Sequence, residues 1–91
     1  MFVIVTSNYF LKRAKKFFRK HPDLKQRFAG IVDTLKKDPS HPRLELHSLG
    51  GKLNGSQAIS LTDGYRITLT VMVTDKEIIL LDIGSHDEVY R

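Results

Sequence analysis

Four side chains that could take part in proton transfer or phosphate binding lie in the second half of the chain, where lysine and arginine are scarce. They are Lys52, Arg66, His86 and Tyr90. Histidine exchanges protons near neutral pH, tyrosine can donate a proton or stack on a base, and arginine grips phosphate oxygens bidentately. RNA cleavage without a metal needs a base for the 2′-hydroxyl, an acid for the leaving 5′-oxygen and a fixed cation for the phosphorane-like transition state. These residue types could supply all three.

Three predicted strands must position these side chains. "SQAISLT" is followed by a "DG" turn signal, then by "YRITLTVMVT", a "DKE" turn and the apolar run "IILLDIG". The middle strand alternates, with one face formed by Tyr65, Ile67, Leu69, Val71 and Val73 and the other by Arg66, Thr68, Thr70, Met72 and Thr74. We expect the first face to pack on helices and the Arg66 face to be open to solvent, as in many antiparallel sheets.

Two amphipathic helices are predicted before these strands. "MFVIVT" is a strand candidate, and Thr6 and Ser7 offer hydroxyl caps to the helix that follows. Apolar residues then recur at helical spacing in two segments: Phe10, Ala14, Phe17 and Phe18, then Leu24, Phe28, Ile31, Val32 and Leu35. Pro22 suits the first turn of the second helix. The order β-α-α-β-β-β over residues 1–91 predicts one α+β domain, an antiparallel sheet with an N-terminal helical hairpin packed on one face.

Composition narrows the functional classes. The chain has no cysteine, so disulfides and thiolate metal sites are excluded. The apolar run "MFVIV" is too short for a signal peptide, and no segment approaches the roughly 20 apolar residues that span a bilayer. We expect a soluble, cytoplasmic protein.

The sequence also lacks the common cofactor and metal motifs. "GGKLNG" does not have the phosphate-binding P-loop pattern, and no two histidines have the i, i+4 spacing of helical metal ligands. We therefore expect no metal and no cofactor.

Basic charge is concentrated in the helical half. Residues 7–37 hold ten Lys or Arg against two Asp, a balance of +8, whereas residues 38–91 hold five against eight Asp or Glu, a balance of −3. Such asymmetry favours a polyanion as partner, most often nucleic acid. The alternative is a solvated helix face that serves solubility alone.

The motifs and their order resemble the RelE/ParE superfamily of bacterial toxins from type II toxin–antitoxin systems. They are "LHSLGGKLNG", "GYRITL" and "IILLDIGSHDEVYR", and the resemblance covers nearly the whole chain. "GYR" is similar to the RelE branch, whereas the histidine-containing loop and the terminal "GSH" look more like the YafQ branch. The resemblance implies a ribosome-dependent messenger-RNA endonuclease, or mRNA interferase. It also implies a cognate antitoxin protein encoded beside it.

The resemblance also assigns roles to residues. Arg66 matches the arginine that contacts the transition-state phosphate, His86 a general acid or base, and Tyr90 the terminal aromatic residue. The remaining matches are His47 in the loop, Lys52 near a basic pair, and Asp63 near an acidic position. Two departures make the site a hybrid of both branches: Ser60 replaces a second central histidine, and Lys52 is single. Which group is base and which is acid stays open.

The first helix should then contact ribosomal RNA phosphates and set docking rather than chemistry. Its basic residues are Lys12, Arg13, Lys15, Lys16, Arg19 and Lys20.

At the other end of the chain, we expect the apolar strand to anchor the terminus, so that His86 and Tyr90 reach the Arg66 face. Asp87 and Glu88 should point outward or hold a base such as Arg91.

Two other functions remain open on the residues alone. A ParE-like toxin that poisons DNA gyrase would share the fold but needs no acid–base pair. A small RNA- or ribosome-binding module without activity would bind RNA with strong salt dependence and leave message uncut. If the chain is a toxin of either the RNA-cleaving or the gyrase-directed type, we expect its antitoxin to be acidic or amphipathic and to cover the open sheet face or the basic surface.

Overall fold

The computed structural model describes residues 1–51 and 55–90. It confirms the predicted α+β class and helical hairpin. The strands are β1 (Val3–Thr6), β2 (His47–Ser48), β3 (Gln57–Ser60), β4 (Tyr65–Met72) and β5 (Glu77–Ser85). The helices are α1 (Asn8–Lys20), α2 (Lys25–Lys37) and α3 (His86–Val89), with single 3₁₀ turns at Pro22–Leu24 and Pro42–Leu44. Within the described residues, no helix is long and apolar enough to cross a bilayer.

The strands form one sheet in the order β1-β5-β4-β3-β2. Neighbours from β5 to β2 are antiparallel, as predicted, but β1 pairs with β5 in parallel, from Val3 opposite Glu77 to Thr6 opposite Leu80. The sheet is therefore mixed at one edge. At the other edge, the two-residue strand β2 was not predicted, and it places His47 directly opposite Ala58 of β3.

The helical hairpin forms where the apolar spacing predicted it. The Ser7 hydroxyl accepts a hydrogen bond from the Phe10 N–H at 3.1 Å, so Ser7 is the N-cap of α1. Phe10 and Phe17 of α1 and Leu35 of α2 are buried. The ring of Phe17 meets that of Tyr65 edge-on, with centroids 5.0 Å apart. The Tyr65 face of β4 therefore packs on the helices, as expected.

Two expectations for β4 were wrong. Val73 was placed on the core face, but it lies beyond the end of the strand and is 69% exposed. Thr68 was placed on the open face, but it is only 3% exposed. The reason is α3, which packs against β4 and β5 and whose Val89 lines the same cavity as Thr68. The Arg66 face is therefore only partly open, because the chain end folds back over it.

Strand β5 contains a bulge shortly before α3 begins. Thr68 lies opposite Asp82, but the next residue, Leu69, lies opposite Leu80, so Leu81 is the extra residue. β-bulges bend a strand and redirect its side chains. In the described chain β1 pairs with β5 only as far as Leu80, so residues 81–85 keep an edge to which a helix side chain can bind.

Candidate active site

The helix α3 begins where β5 ends, and its sequence specifies a capped turn. The Ser85 hydroxyl accepts from the Glu88 N–H at 3.3 Å, and a Glu88 carboxylate oxygen accepts from the Ser85 N–H at 2.9 Å. This reciprocal pair is a capping box, which satisfies two donors that a helix start leaves free. The Val89 side chain is buried beneath the turn. The expectation that the chain end is anchored up to Tyr90 is confirmed.

Three candidate residues form a chain of contacts at this end. The His86 and Tyr90 rings meet edge-on, with centroids 4.3 Å apart. The Tyr90 hydroxyl lies 3.4 Å from Nε2 of His47, a long hydrogen bond. Nδ1 of His47 lies 3.0 Å from the Glu45 carbonyl oxygen. Since a carbonyl oxygen only accepts, the contact favours a proton on Nδ1 and leaves Nε2 to accept from the tyrosine.

Arg66 is held at the turn that joins β3 to β4. Its Nη1 donates to the carbonyl oxygens of Thr62 at 2.6 Å, Asp63 at 3.0 Å and Tyr65 at 3.2 Å. These contacts fix one nitrogen of a guanidinium that carries five N–H donors. The remaining donors can bind a phosphate while the backbone carbonyls hold the group in place. An arginine fixed in this way costs little ordering entropy when it binds an anion.

Strand register and α3 bring four of the candidates to one face of the sheet. His47, Ala58 and Thr68 lie side by side in one row, and the next row on the same face, two residues along each strand, holds Ser60, Arg66 and Gly84. Cross-strand partners point to the same face. A Cβ placed on Gly84 would lie 3.0 Å from the Glu88 carboxylate, so α3 lies over this same face. His47, Arg66, His86 and Tyr90 therefore share it.

Asp63 stands apart from this group. Asp63 gives its backbone carbonyl to Arg66, but the residue itself lines a different cavity, together with Arg27, Arg43 and Ser60. Lys52 lies outside the described residues. Among residues 1–51 and 55–90, no three histidine or carboxylate side chains are grouped so as to hold a metal ion.

The basic residues of α1 divide into two sets. Lys12, Lys15, Lys16, Arg19 and Lys20 are exposed. Arg13 differs, because its Nε binds the Asp82 carboxylate at 2.8 Å and its side chain is only 25% exposed. Asp82 raises the pKa of Arg13, mainly through this hydrogen bond. The Arg13 guanidinium already binds a carboxylate of its own chain. The prediction of RNA contacts therefore rests on the five exposed residues.

Glu88 holds a base, as expected. The base is Arg13, whose Nη2 lies 3.7 Å from the carboxylate; Arg91, the example named from the sequence, lies outside the described residues. Hydrogen bonds from the Ser85 backbone and side chain lower the pKa of Glu88 from 4.5, and Arg13 adds to this. The signal was visible in "SHDE", which has the S-x-x-E spacing of a capping box.

The chain has no match among protein-family models, and no curated protein sequence matches it. Solved structures do match over the whole chain. YafQ from E. coli strain BL21(DE3) superposes with a TM-score of 0.83 at 16% identity, covering 100% of both chains. A metal-bound toxin from Helicobacter pylori gives 0.82 at 26% identity, covering 98% of this chain and 99% of that one.

A complex of YoeB with YefM from Staphylococcus aureus is also similar, with a TM-score of 0.75 at 15% identity, covering 94% of this chain and 98% of that one. These neighbours confirm the predicted resemblance at the level of fold. The chain has the RelE/ParE toxin fold, in its YafQ-like form.

Proposed function

We propose that this chain is the toxin of a type II toxin–antitoxin system and that it cleaves messenger RNA on the ribosome. The fold supports a toxin, because the similar structures are toxins, some of them in complex with a partner named with them. The observation that carries the cleavage reaction is the contact chain from His86 through Tyr90 to His47, on the sheet face that also carries Arg66. A toxin that acts by binding alone has no need of this arrangement.

The reaction that these groups could perform is attack by the RNA 2′-hydroxyl on its own phosphate. One proton acceptor takes the 2′-hydroxyl proton, and one donor protonates the leaving 5′-oxygen. The products are a 2′,3′-cyclic phosphate and a 5′-hydroxyl. His86, with a side chain 68% exposed, can approach the substrate directly. Arg66 would stabilise the charge that builds up on the phosphorane oxygens, where fixed donors contribute most.

The exposed cations of α1 would provide docking. Lys12, Lys15, Lys16, Arg19 and Lys20 lie on one helix, and two of them, Lys16 and Lys20, line a cavity with Ser85 and Glu88 at the base of α3. Phosphate contacts of this type position a protein on RNA without reading its sequence. The proposed partners are therefore ribosomal RNA, messenger RNA and a cognate antitoxin, all in the cytoplasm.

The test is the loss of toxicity on removing a single catalytic group. We expect Arg66→Ala and His86→Ala each to abolish growth inhibition, because losing one transition-state contact costs on the order of 10²–10³ in rate. Arg43→Ala and His41→Asn are matched controls. Both residues lie in or beside the 3₁₀ turn Pro42–Leu44 rather than on strands β2 to β5 or α3. Asparagine at position 41 can still accept from the Arg43 N–H, as His41 does.

Folding of each variant is checked by its thermal transition and its amide NMR spectrum. Toxicity lost in Arg66→Ala and His86→Ala but retained in both controls supports the proposal. If folded Arg66→Ala and His86→Ala proteins inhibit growth as strongly as the wild type, the site assignment is wrong.

A further inference from the structure

Arg13 of α1 and Glu88 of α3 form an ion pair over the bulged end of β5, which we term the clasp. Arg13 of α1 reaches the edge of β5 that β1 leaves free, where its Nε binds Asp82 at 2.8 Å and its Nη2 lies 3.4 Å from the Ile83 carbonyl oxygen. Asp82 also accepts from the Ile83 N–H at 2.8 Å, so its carboxylate is fixed at the bulge. The guanidinium is therefore held in one orientation by the strand before it contacts α3.

Glu88 completes the clasp from the other side. One carboxylate oxygen accepts from the Ser85 N–H, and the other lies 3.7 Å from Nη2 of Arg13. Gly84 provides the necessary space. A Cβ there would lie 3.0 Å from the Glu88 carboxylate and 3.2 Å from the Arg13 guanidinium, closer than ordinary van der Waals contact. The absence of a side chain at position 84 thus allows the two charged groups to meet over the strand.

We propose that Arg13 and Glu88 are positioning residues, whose clasp fixes α3 and thereby places His86 and Tyr90 over the sheet face that carries Arg66. The catalytic meaning of this inference rests on the function proposed above. The physical need is plain: α3 has four residues, and isolated helices shorter than about 12 residues are marginal in water. Burial of Val89 and the long Tyr90–His47 hydrogen bond are its other anchors.

Glu88→Gln is the most informative variant. Glutamine can still cap the Ser85 N–H, as in natural capping boxes, but it cannot form an ion pair with Arg13. The substitution also removes a negative charge, which would strengthen binding to RNA rather than weaken it. A loss of cleavage therefore cannot be attributed to weaker docking. Asp33→Asn is the matched control, since it removes a carboxylate from an exposed ion pair with Lys37 on α2.

The first measurement is amide hydrogen exchange in the isolated protein. The Tyr90 N–H, which donates to the His86 carbonyl oxygen at 3.2 Å, reports on α3, and the Ile67 N–H of β4 reports on global unfolding. We expect Glu88→Gln to speed Tyr90 exchange about two- to fivefold, as for a partly exposed ion pair. Arg13→Ala should speed it about tenfold or more, because charged hydrogen bonds are lost. In each case the change should exceed that at Ile67.

The second measurement is cleavage by the wild type, Glu88→Gln and Asp33→Asn. We expect Glu88→Gln to lower kcat and leave KM unchanged or lower, and Asp33→Asn to leave kcat unchanged. The clasp is disproved if Tyr90 exchange is unchanged in both Glu88→Gln and Arg13→Ala. It is also disproved if Tyr90 exchange rises only as much as Ile67 exchange. An unchanged kcat in Glu88→Gln overturns its positioning role. If the wild type cuts no RNA, the proposed function fails, and the exchange result alone decides whether the clasp holds α3.

Discussion

At the scale of single residues, Tyr90 is the link between the two histidines. Its ring packs edge-on against His86, and its hydroxyl meets Nε2 of His47. The ring and the hydroxyl can therefore be separated experimentally. Removing the hydroxyl leaves the packing intact, whereas removing the ring breaks both contacts.

We predict that Tyr90→Phe and His47→Ala have non-additive effects on cleavage. Both changes remove the same hydrogen bond, which is worth about 0.5–1.5 kcal/mol. The double variant should therefore lose less transition-state free energy than the two single variants together, by about 1 kcal/mol. The measurement is kcat/KM for the wild type, the two single variants and the double variant. Fully additive losses would show that the contact carries no coupling.

Residue types and the predicted strand order indicated three residues of this face, and the family resemblance added His47. Arg66, His86 and Tyr90 were expected on one face, and the strand register and α3 place them there. Residue type could not show that Glu88 meets Arg13, because the two lie 75 positions apart and are brought together only by the fold. Asp63 was assigned by its match to a family motif, and in the fold it lines another cavity.

At the scale of elements, two serine caps have different consequences. Ser7 caps α1, which contributes Phe10 and Phe17 to the core, whereas Ser85 caps α3, which contributes Val89 alone. Loss of the first cap should weaken the whole domain. Loss of the second should release the chain end while the sheet and hairpin stay folded.

We predict that Ser7→Ala lowers the free energy of unfolding by about 1 kcal/mol, a typical loss for an N-cap. For a domain of this size, that lowers Tm by roughly 4–8 °C. Ser85→Ala should lower Tm less but reduce cleavage more, since it loosens the turn that carries His86. Thermal unfolding and cleavage rates of the two variants provide the comparison. Equal Tm losses with unchanged cleavage in Ser85→Ala would contradict a separate role for α3.

Periodicity predicted the long elements and missed those defined by distant contacts. The hairpin followed from apolar spacing, and β4 from strict alternation. The parallel pairing of β1 with β5 joins residues more than 70 positions apart, and β2 has only two residues, too few to show a pattern. Burial of Thr68 likewise depends on α3 folding back over the sheet, which alternation within one strand cannot reveal.

At the scale of the whole molecule, basic charge and the candidate active site lie at neighbouring positions. Lys16 and Lys20 of α1 line a cavity that reaches Ser85, the first residue before α3. A polyanion bound along α1 would thus pass close to the start of α3, whose first residue is His86. The net charge of +5 alone would favour polyanions without regard to position.

We predict that ribosome affinity falls in graded steps as the exposed α1 cations are neutralised. Each lost phosphate contact should reduce the slope of log affinity against log salt by about 0.7–0.9. Lys→Gln changes at positions 12, 15, 16 and 20, combined one by one, provide the series. Lys25→Gln with Lys37→Gln on α2 is the control of equal charge. If the control weakens binding as much as two changes on α1, net charge rather than location determines docking.

The most direct test of the proposed function is to map the 5′ ends of messenger RNA by primer extension in a translating extract. The wild type should produce discrete cuts within codons only when ribosomes translate the message, and His86→Ala should produce none. The upstream fragments should end in a 2′,3′-cyclic phosphate. Intact message with a toxic wild-type protein, accompanied by a DNA-damage response in cells, would contradict RNA cleavage and indicate a gyrase-directed toxin instead.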